Sequence, residues 1–379
     1  MMFLFWICMA LMIYAILGYP LVLMMLARIV GREPVLKQEG PRSFTLLIAA
    51  HNEEACIADK LRNSLELAAS GAFRVQIIVV SDGSTDRTVS EALSVADEKI
   101  EVVESVGRGG KALALNQILA KANGDVIVFT DANSFVSPGA LEAIATHFCD
   151  PKIGGVCGQI SVDKTGAGAI GRGEGFYWRY DQALKLAESQ LGGTVSAQGS
   201  FYAIRREFAG PLRPDCADDF FNSVRVVAKG KRLSYQPEAR ATEVVTERAV
   251  LEMGRRVRST EGGWRAMAAF WYLMNPWRYG LYAWQLISHK LLRRLVPFFL
   301  AIVFATNLLL LDEGMLYKIL STAQIFVYGA ILAAAFIPSL RKLPIIGALF
   351  FFGMSNLAMA LGLLRFITGK KSLVWKPVR

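Results

Sequence analysis

The sequence predicts an open, mostly parallel α/β sheet domain held at a membrane by one N-terminal helix and about three C-terminal helices. Three observations carry this. Residues 3–27 hold no charge and exceed the roughly 20 apolar residues needed to cross a bilayer core. Three further apolar stretches, 295–311, 317–337 and 344–364, lie near the far end. Between them runs a stretch of about 240 residues in which short apolar runs alternate with helical patterns.

The first stretch reads as a retained anchor. A cleavable signal peptide would need a basic leading region and a small-residue cleavage site, and neither is present. The C-terminal stretches are separated by the mixed segment DEGMLYK and the basic segment SLRKLP. Arg28, Arg32, Lys37 and Arg42 follow the anchor, and Lys290, Arg293 and Arg294 precede the next apolar run. Both flanks of the central domain therefore read as cytoplasmic by the positive-inside rule, in a multi-pass protein of the cytoplasmic (inner) membrane. Three helices after that domain would put the basic tail GKKSLVWKPVR outside, against the same rule.

The chain of 379 residues is 53% hydrophobic and has a mean hydropathy of +0.36, values that exclude an ordinary soluble domain. Its net charge of +10 gathers beside the membrane segments, so anionic lipid is the expected partner and nucleic acid is not. Five cysteines (Cys8, Cys56, Cys149, Cys157, Cys216) form no CxxC pair, and three histidines leave little to build a zinc site. They read as free thiols in a reducing compartment.

Within the central domain, FTLLIAA reads as a strand and EEACIADKLRNSLELAAS as a helix. VQIIVV is a strand, and STDRTVSEALSVADE a helix opened by Ser and Thr caps. IEVVES is a strand, GKALALNQILAKAN a helix, and VIVFT a fourth strand. Strands this apolar are covered on both faces. Ligands in such sheets gather beyond the carboxyl ends of the strands. Three runs end in polar groups there: His51, Asn52, Glu53 and Glu54; Ser81, Asp82, Gly83 and Ser84; and Asp131, Ala132 and Asn133. Each cluster alone could be a helix cap, but three at one sheet edge point to a pocket.

The segments AAHNEE (49–54), VVSDGSTD (79–86), GKALALN (110–116), FTDANS (129–134), ADD (217–219) and RRVR (255–258) stand in an order that resembles the family 2 glycosyltransferases. These are membrane-attached GT-A enzymes that use nucleotide sugars, and they include exopolysaccharide synthases and ceramide glucosyltransferase-like enzymes. The resemblance implies a Rossmann-like GT-A domain over 43–265, after an anchor over 1–30. It is followed by an interfacial amphipathic segment over 266–292, membrane helices over 293–367 and a basic tail over 368–379. The aromatic and basic blocks GFYWRYDQALK (175–185) and FWYLMNPWRYGLYAWQLISHK (270–290) suit the membrane surface.

The same resemblance implies roles for single residues. Asp131 and Asn133 stand where the family carries its DxD element, so they would hold Mg²⁺ or Mn²⁺ against a diphosphate through hard oxygen donors. The second acid is replaced by an amide here, which ligates more weakly. Asp82 would contact uracil, Glu53 the nucleoside, and Lys111 the donor. A lysine at a helix start meets an unfavourable dipole that a bound anion would relieve. Asp219 aligns with the catalytic base that takes the acceptor's proton, with Phe220 and Phe221 as an apolar wall. Its neighbour Asp218 is expected to cap the helix.

RRVR falls where processive members carry QxxRW. Arg255 replaces the Gln, Arg258 matches the Arg, and Ser259 replaces the Trp. Arginines there would bind the leaving diphosphate. Trp264 lies too far on to replace the missing ring, which argues against processive synthesis. QGSFYAIRRE (198–207) would lie near the acceptor, with Gly199 and Ser200 allowing close approach.

The function expected is therefore an inverting, metal-dependent glycosyltransferase. It would move a sugar from a UDP-sugar to a growing exopolysaccharide or a lipid-linked acceptor. Single-sugar transfer to a membrane lipid and an inactive nucleotide-binding sensor are the alternatives. A transporter is disfavoured because the apolar segments carry almost no ionisable residues at their centres.

Overall fold

A computed structural model describes residues 1–35, 38–163, 169–244 and 249–370, with side chains outside 162–177 and 244–252. Lys37 and most of the basic tail fall outside those residues.

The first helix, α1 (Met2–Val30), runs 29 residues with a π-helical segment at Tyr14–Gly18. The chain then enters the sheet through β1 (Ser43–Ala50), α2 (Ile57–Ala69), β2 (Arg74–Ser81), α3 (Thr88–Ser94) and β3 (Ile100–Glu104). It continues through α4 (Lys111–Leu119), β4 (Val126–Asp131), β5 (Ser134–Val136), α5 (Ala140–His147) and β6 (Ile153–Asp163). After α6 (Ala169–Gln190) come β7 (Phe201–Arg205), α7 (Asp218–Ala228), β8 (Arg232–Val244) and α8 (Ala249–Ala269). Turns at Trp271–Met274 and Pro276–Tyr279 lead to three further long helices, α9 (Leu281–Leu309), α10 (Met315–Phe336) and α11 (Pro344–Ile367).

One eight-stranded sheet orders these strands β3-β2-β1-β4-β7-β6-β8-β5. The first four are parallel, β7 runs antiparallel to β4 and β6, and β6 and β8 are parallel again. The alternation of sequence explains the layering. On β1, Leu47 and Ala49 face one core, with Ile78, Ile118, Phe129 and Phe221. Phe44, Leu46, Ile48 and Ala50 face the other, with Ile57, Leu61, Val79 and Ile144. A strand whose two faces are both covered is apolar at most positions, and each fully buried Leu or Ile contributes about 1.5–3 kcal/mol.

The helix expected over 84–98 is confined to Thr88–Ser94. Residues before it are held by tertiary bonds instead. Asn52 N donates to Ser84 Oγ, Glu53 N to Thr88 Oγ1 at 2.7 Å, and Thr85 N to Asn52 Oδ1. No Ser or Thr side chain caps α3; Thr88 N donates to Asp86 Oδ1 at 3.0 Å. The exits of β1 and β2 are thus laced together. Gly83 (φ +60°) makes this possible, since a Cβ there would sit 3.0 Å from Gly107 backbone.

Four helices, α1 and α9 to α11, are long and apolar enough to cross a membrane. Helix α9 begins at Leu281, inside the 266–292 stretch expected to lie along the surface. Helix α6 joins the domain to α1 and α9. Glu188 accepts from Tyr19 Oη and His289 Nδ1, each at 2.7 Å, and from Thr194 Oγ1 and Val195 N. Burial alone would raise its carboxyl, but these partners outweigh it and hold the group at about 2. All five cysteines are free thiols.

Candidate active site

The parallel strands deliver their polar ends to one edge of the sheet. Asp82, after β2, is fully buried. Its two carboxylate oxygens accept from Gly109 N at 2.8 Å and Gly110 N at 2.9 Å, which shapes the loop entering α4. Gly110 sits at φ +93°, a conformation open chiefly to glycine. That turn aims Lys111 at the exit of β4.

Lys111 Nζ lies 2.7 Å from Asp131 Oδ1 and 3.1 Å from Asp218 Oδ2. Burial would lower its ammonium, but the two carboxylates outweigh burial and hold it well above the usual lysine range. The dipole penalty at the start of α4 is therefore offset by the protein's own anions. Asp218 Oδ2 is buried without a hydrogen bond, so its contact with Lys111 is an ion pair of poor hydrogen-bond geometry.

Asp218 and Asp219 open α7. Asp219 Oδ1 accepts from Phe220 N at 2.7 Å, and Phe220 and Phe221 are both buried beside it. Asp218 does not cap the helix as expected. Ala217 holds the cap position, no side chain bonds to the helix start from there, and Asp218 turns to Lys111 instead. Burial first, then the negative charge of Asp218, pushes the Asp219 carboxyl above the ordinary aspartate value. Gly199 lies directly against it: a Cβ there would stand 3.6 Å from Asp219 Oδ2.

Ser200 joins this cluster from the β7 side. Its carbonyl accepts from Asp131 N at 3.4 Å and its hydroxyl donates to Glu243 Oε2 at 2.9 Å. Glu243 Oε1 in turn lies 3.9 Å from an Arg255 guanidinium nitrogen. Arg258, half-buried on the next turn of α8, is lowered by burial and by the neighbouring charges of Arg255 and Arg365. Glu53 lies on the β1 exit, where its carbonyl accepts from Ile57 N at 2.9 Å and opens α2. Asn133 lies half-buried two residues after Asp131.

Two contributors, Lys60 and Glu243, escaped the motifs. Lys60 is fully buried under the β4 exit, donating to Thr130 Oγ1 at 3.0 Å and to the Ser134 carbonyl. Burial lowers it to about 7. The signal was a lysine on the apolar face of α2 that also carries Ile57, Leu61 and Ser64. Glu243 had no local signal, and the pairing of Asp218 with Lys111 had none either. Trp264 is buried and stacks on Phe366 with ring centres 6.2 Å apart.

The oxygen donors suit a hard divalent cation. Among the described residues, no group of three or more His, Cys, Asp or Glu side chains could hold a metal. Mg²⁺ and Mn²⁺ need no such cage: one or two carboxylates with substrate phosphates and water suffice. Asp131 is accessible, with 29% of its side chain exposed, and Asn133 follows on the same turn.

Residues 45–211 match the sequence model of the family described as Glycosyl transferase family 2. The chain carries a family 2 glycosyltransferase domain. The domain and its flanks are 26% identical over 260 residues to poly-beta-1,6-N-acetyl-D-glucosamine synthase of Staphylococcus aureus strain COL, covering 66% of this chain and 62% of that one. They are 25% identical over 234 residues to beta-monoglucosyldiacylglycerol synthase of Synechocystis sp., covering 60% of this chain and 49% of that one. The matched region is thus less than two thirds of either relative. The structure of the mannosyltransferase PcManGT from Pyrobaculum calidifontis, in complex with GDP-Man and Mn²⁺, superposes with a TM-score of 0.72 at 22% identity. That likeness covers 97% of this chain and all of the other. The family 2 domain is therefore of the GT-A fold, and its membrane helices belong to the same arrangement.

Proposed function

We propose that this chain is an inverting glycosyltransferase of the cytoplasmic membrane face, moving a sugar from a nucleotide sugar to a glycan or lipid-linked acceptor. UDP-sugar is the donor class favoured by the motif order. The observation that carries the reading is the convergence of Lys111, Asp131, Asp218 and Asp219 at one sheet edge.

In this reading Asp131, with Asn133, would hold Mg²⁺ or Mn²⁺. The bound ion would neutralise charge on the diphosphate as it leaves. Asp219 Oδ1 is tied to Phe220 N, which leaves Oδ2, on the Gly199 side, to accept the acceptor hydroxyl's proton. Its raised pKa suits a base working near neutral pH. Attack by that hydroxyl on the anomeric carbon in one displacement inverts its configuration. Ser200, through Glu243, would steady Arg255 toward the departing nucleotide, where developing charge is stabilised. Glu53 and Asp82 would line the nucleoside end, and Arg258 would add positive potential.

A second reading, one sugar transferred to a membrane lipid, is favoured by the Trp264–Phe366 stack. That ring is committed to packing and is not offered to an acceptor sugar. The basic flanks of the domain, Arg28, Arg32, Lys290, Arg293 and Arg294, support a cytoplasmic face.

The full chain, purified in detergent and given a panel of UDP- and GDP-sugars with Mn²⁺ or Mg²⁺, should release nucleoside diphosphate steadily. Asp219→Asn should bind donor and turn over about 10²–10⁴-fold more slowly. Binding without release in the unmodified protein would leave the sensor reading instead. Mass analysis of the product names the sugar and the acceptor.

A further inference from the structure

We propose that the Lys111 ammonium is the resting counter-cation of the donor site, and that a divalent ion must displace it from Asp131. The inference rests on the reading of this edge as a metal–nucleotide site.

Lys111 Nζ is within 3.1 Å of oxygens from two carboxylates that arrive on separate elements, the end of β4 and the start of α7. An ammonium so placed holds Oδ1 of Asp131, an oxygen a metal would need. Two features make it a poor final partner. It stands at the positive end of α4, where the dipole disfavours a cation. Its second carboxylate, Asp218, meets it without hydrogen-bond geometry. Lys111 is held there by charge and is free in chemical terms to exchange partners.

A second lysine lies behind the same turn. Lys60 donates to Thr130 Oγ1 and the Ser134 carbonyl, on either side of Asp131. Three carboxylates, Asp131, Asp218 and Asp219, gather at this edge, and Lys111 is the ammonium paired with two of them. A divalent ion arriving alone would part Lys111 from Asp131 and leave only Asp218 to hold the ammonium. Arriving with a diphosphate it adds little net charge, and the phosphate oxygens offer Lys111 new partners in place of Asp131. Metal affinity should therefore be weak without nucleotide and strong with it, and Lys111 is the positioning residue that couples the two.

The sign of one substitution tests this. Free Mn²⁺ is titrated by its electron paramagnetic resonance signal against the full chain in detergent micelles, with and without uridine or guanosine diphosphate. Wild type should bind Mn²⁺ at least tenfold more tightly when nucleotide is present. Lys111→Met should raise nucleotide-free Mn²⁺ affinity about tenfold and shrink the nucleotide-dependent gain, while Lys111→Arg keeps the wild-type pattern. A merely structural lysine would give the opposite sign, with metal binding weakened in both conditions. Unchanged or weaker nucleotide-free binding in Lys111→Met overturns the proposal even when wild type shows the nucleotide effect. If no protein takes up Mn²⁺ with either nucleotide, the reading of the site falls and the inference falls with it. Should Lys111→Met fail to fold, as judged by its thermal melt, Lys111→Gln decides by the same sign.

Discussion

The Ser200 hydroxyl donates to Glu243 Oε2 at 2.9 Å, and Ser200's own carbonyl receives Asp131 N. One serine thus ties the loop of Asp131 to a buried carboxylate whose other oxygen faces Arg255. In the proposed reading, both ends of the diphosphate site would be set by a residue that need not touch the donor. Ser200→Ala removes this hydrogen bond to Glu243, a loss of about 0.5–1.5 kcal/mol. Turnover should fall roughly tenfold, equivalent to about 1.4 kcal/mol in the barrier. Initial rates of nucleotide release check this; an unchanged rate would show that Arg255 does not depend on the relay.

The pH profile should report the pair Asp218 and Asp219. Burial and Asp218 both raise the Asp219 carboxyl. Activity that needs Asp219 unprotonated is therefore lost, as pH falls, at a higher pH than an ordinary aspartate would give. Removing the neighbouring charge with Asp218→Asn should move the acid limb of kcat/KM to lower pH. A limb that stays in place would mean that burial alone sets it, or that another group titrates.

Lys60 predicts a stability that grows with pH. Its folded-state value of about 7 lies below the ordinary lysine value of 10.5, so between those limits the unfolded chain binds the extra proton. Stability from this group should rise as pH goes from 7 toward 10. Lys60→Met removes the titration, so its thermal midpoint in detergent should be flatter over that range. Parallel curves for the two proteins would refute the assignment.

Glu188 pins the membrane helices to the domain. Glu188→Gln removes the charge that Tyr19 Oη and His289 Nδ1 meet, and breaking a buried charged contact costs about 3 kcal/mol. The thermal midpoint should drop by several degrees with little change in donor affinity. In the unmodified protein the depressed carboxyl contributes stability that is complete above the unfolded value of 4.5 and is lost as pH falls toward 2. Calorimetry at two pH values separates this from a catalytic effect.

Much of this architecture was legible from local pattern. β1, β2 and β4 carry the apolar runs Leu46–Ala50, Ile77–Val80 and Val126–Phe129, because a strand covered on both faces is apolar over most of its length. Asp131 closes β4 and Asp219 lies at the start of α7, and it was the family-like order of the motifs that singled them out. Asp218 was misread for a physical reason. An acid at a helix start is a good cap in isolation, and nothing nearby in sequence announces that Lys111 will come within 3.1 Å of it. The helix expected over 84–98 shortened because Ser84, Thr85 and Asp86 bond to the β1 exit and not to their own helix. Residues 281–292 lie within the 266–292 stretch read as helices on the bilayer surface. They form the start of α9, where His289 and Ser288 meet Glu188 and Tyr14.

By itself, then, the order of residues determined the layers, the strand ends and the apolar helices, since these follow from periodicity and length along the chain. Tertiary structure decided which cation meets which carboxylate: Lys111 with Asp131 and Asp218, Arg255 with Glu243, His289 with Glu188. Hydrophobic patterning acts over a few neighbouring residues. Charge pairing acts through space, between groups that only the finished sheet and helix packing bring within 4 Å.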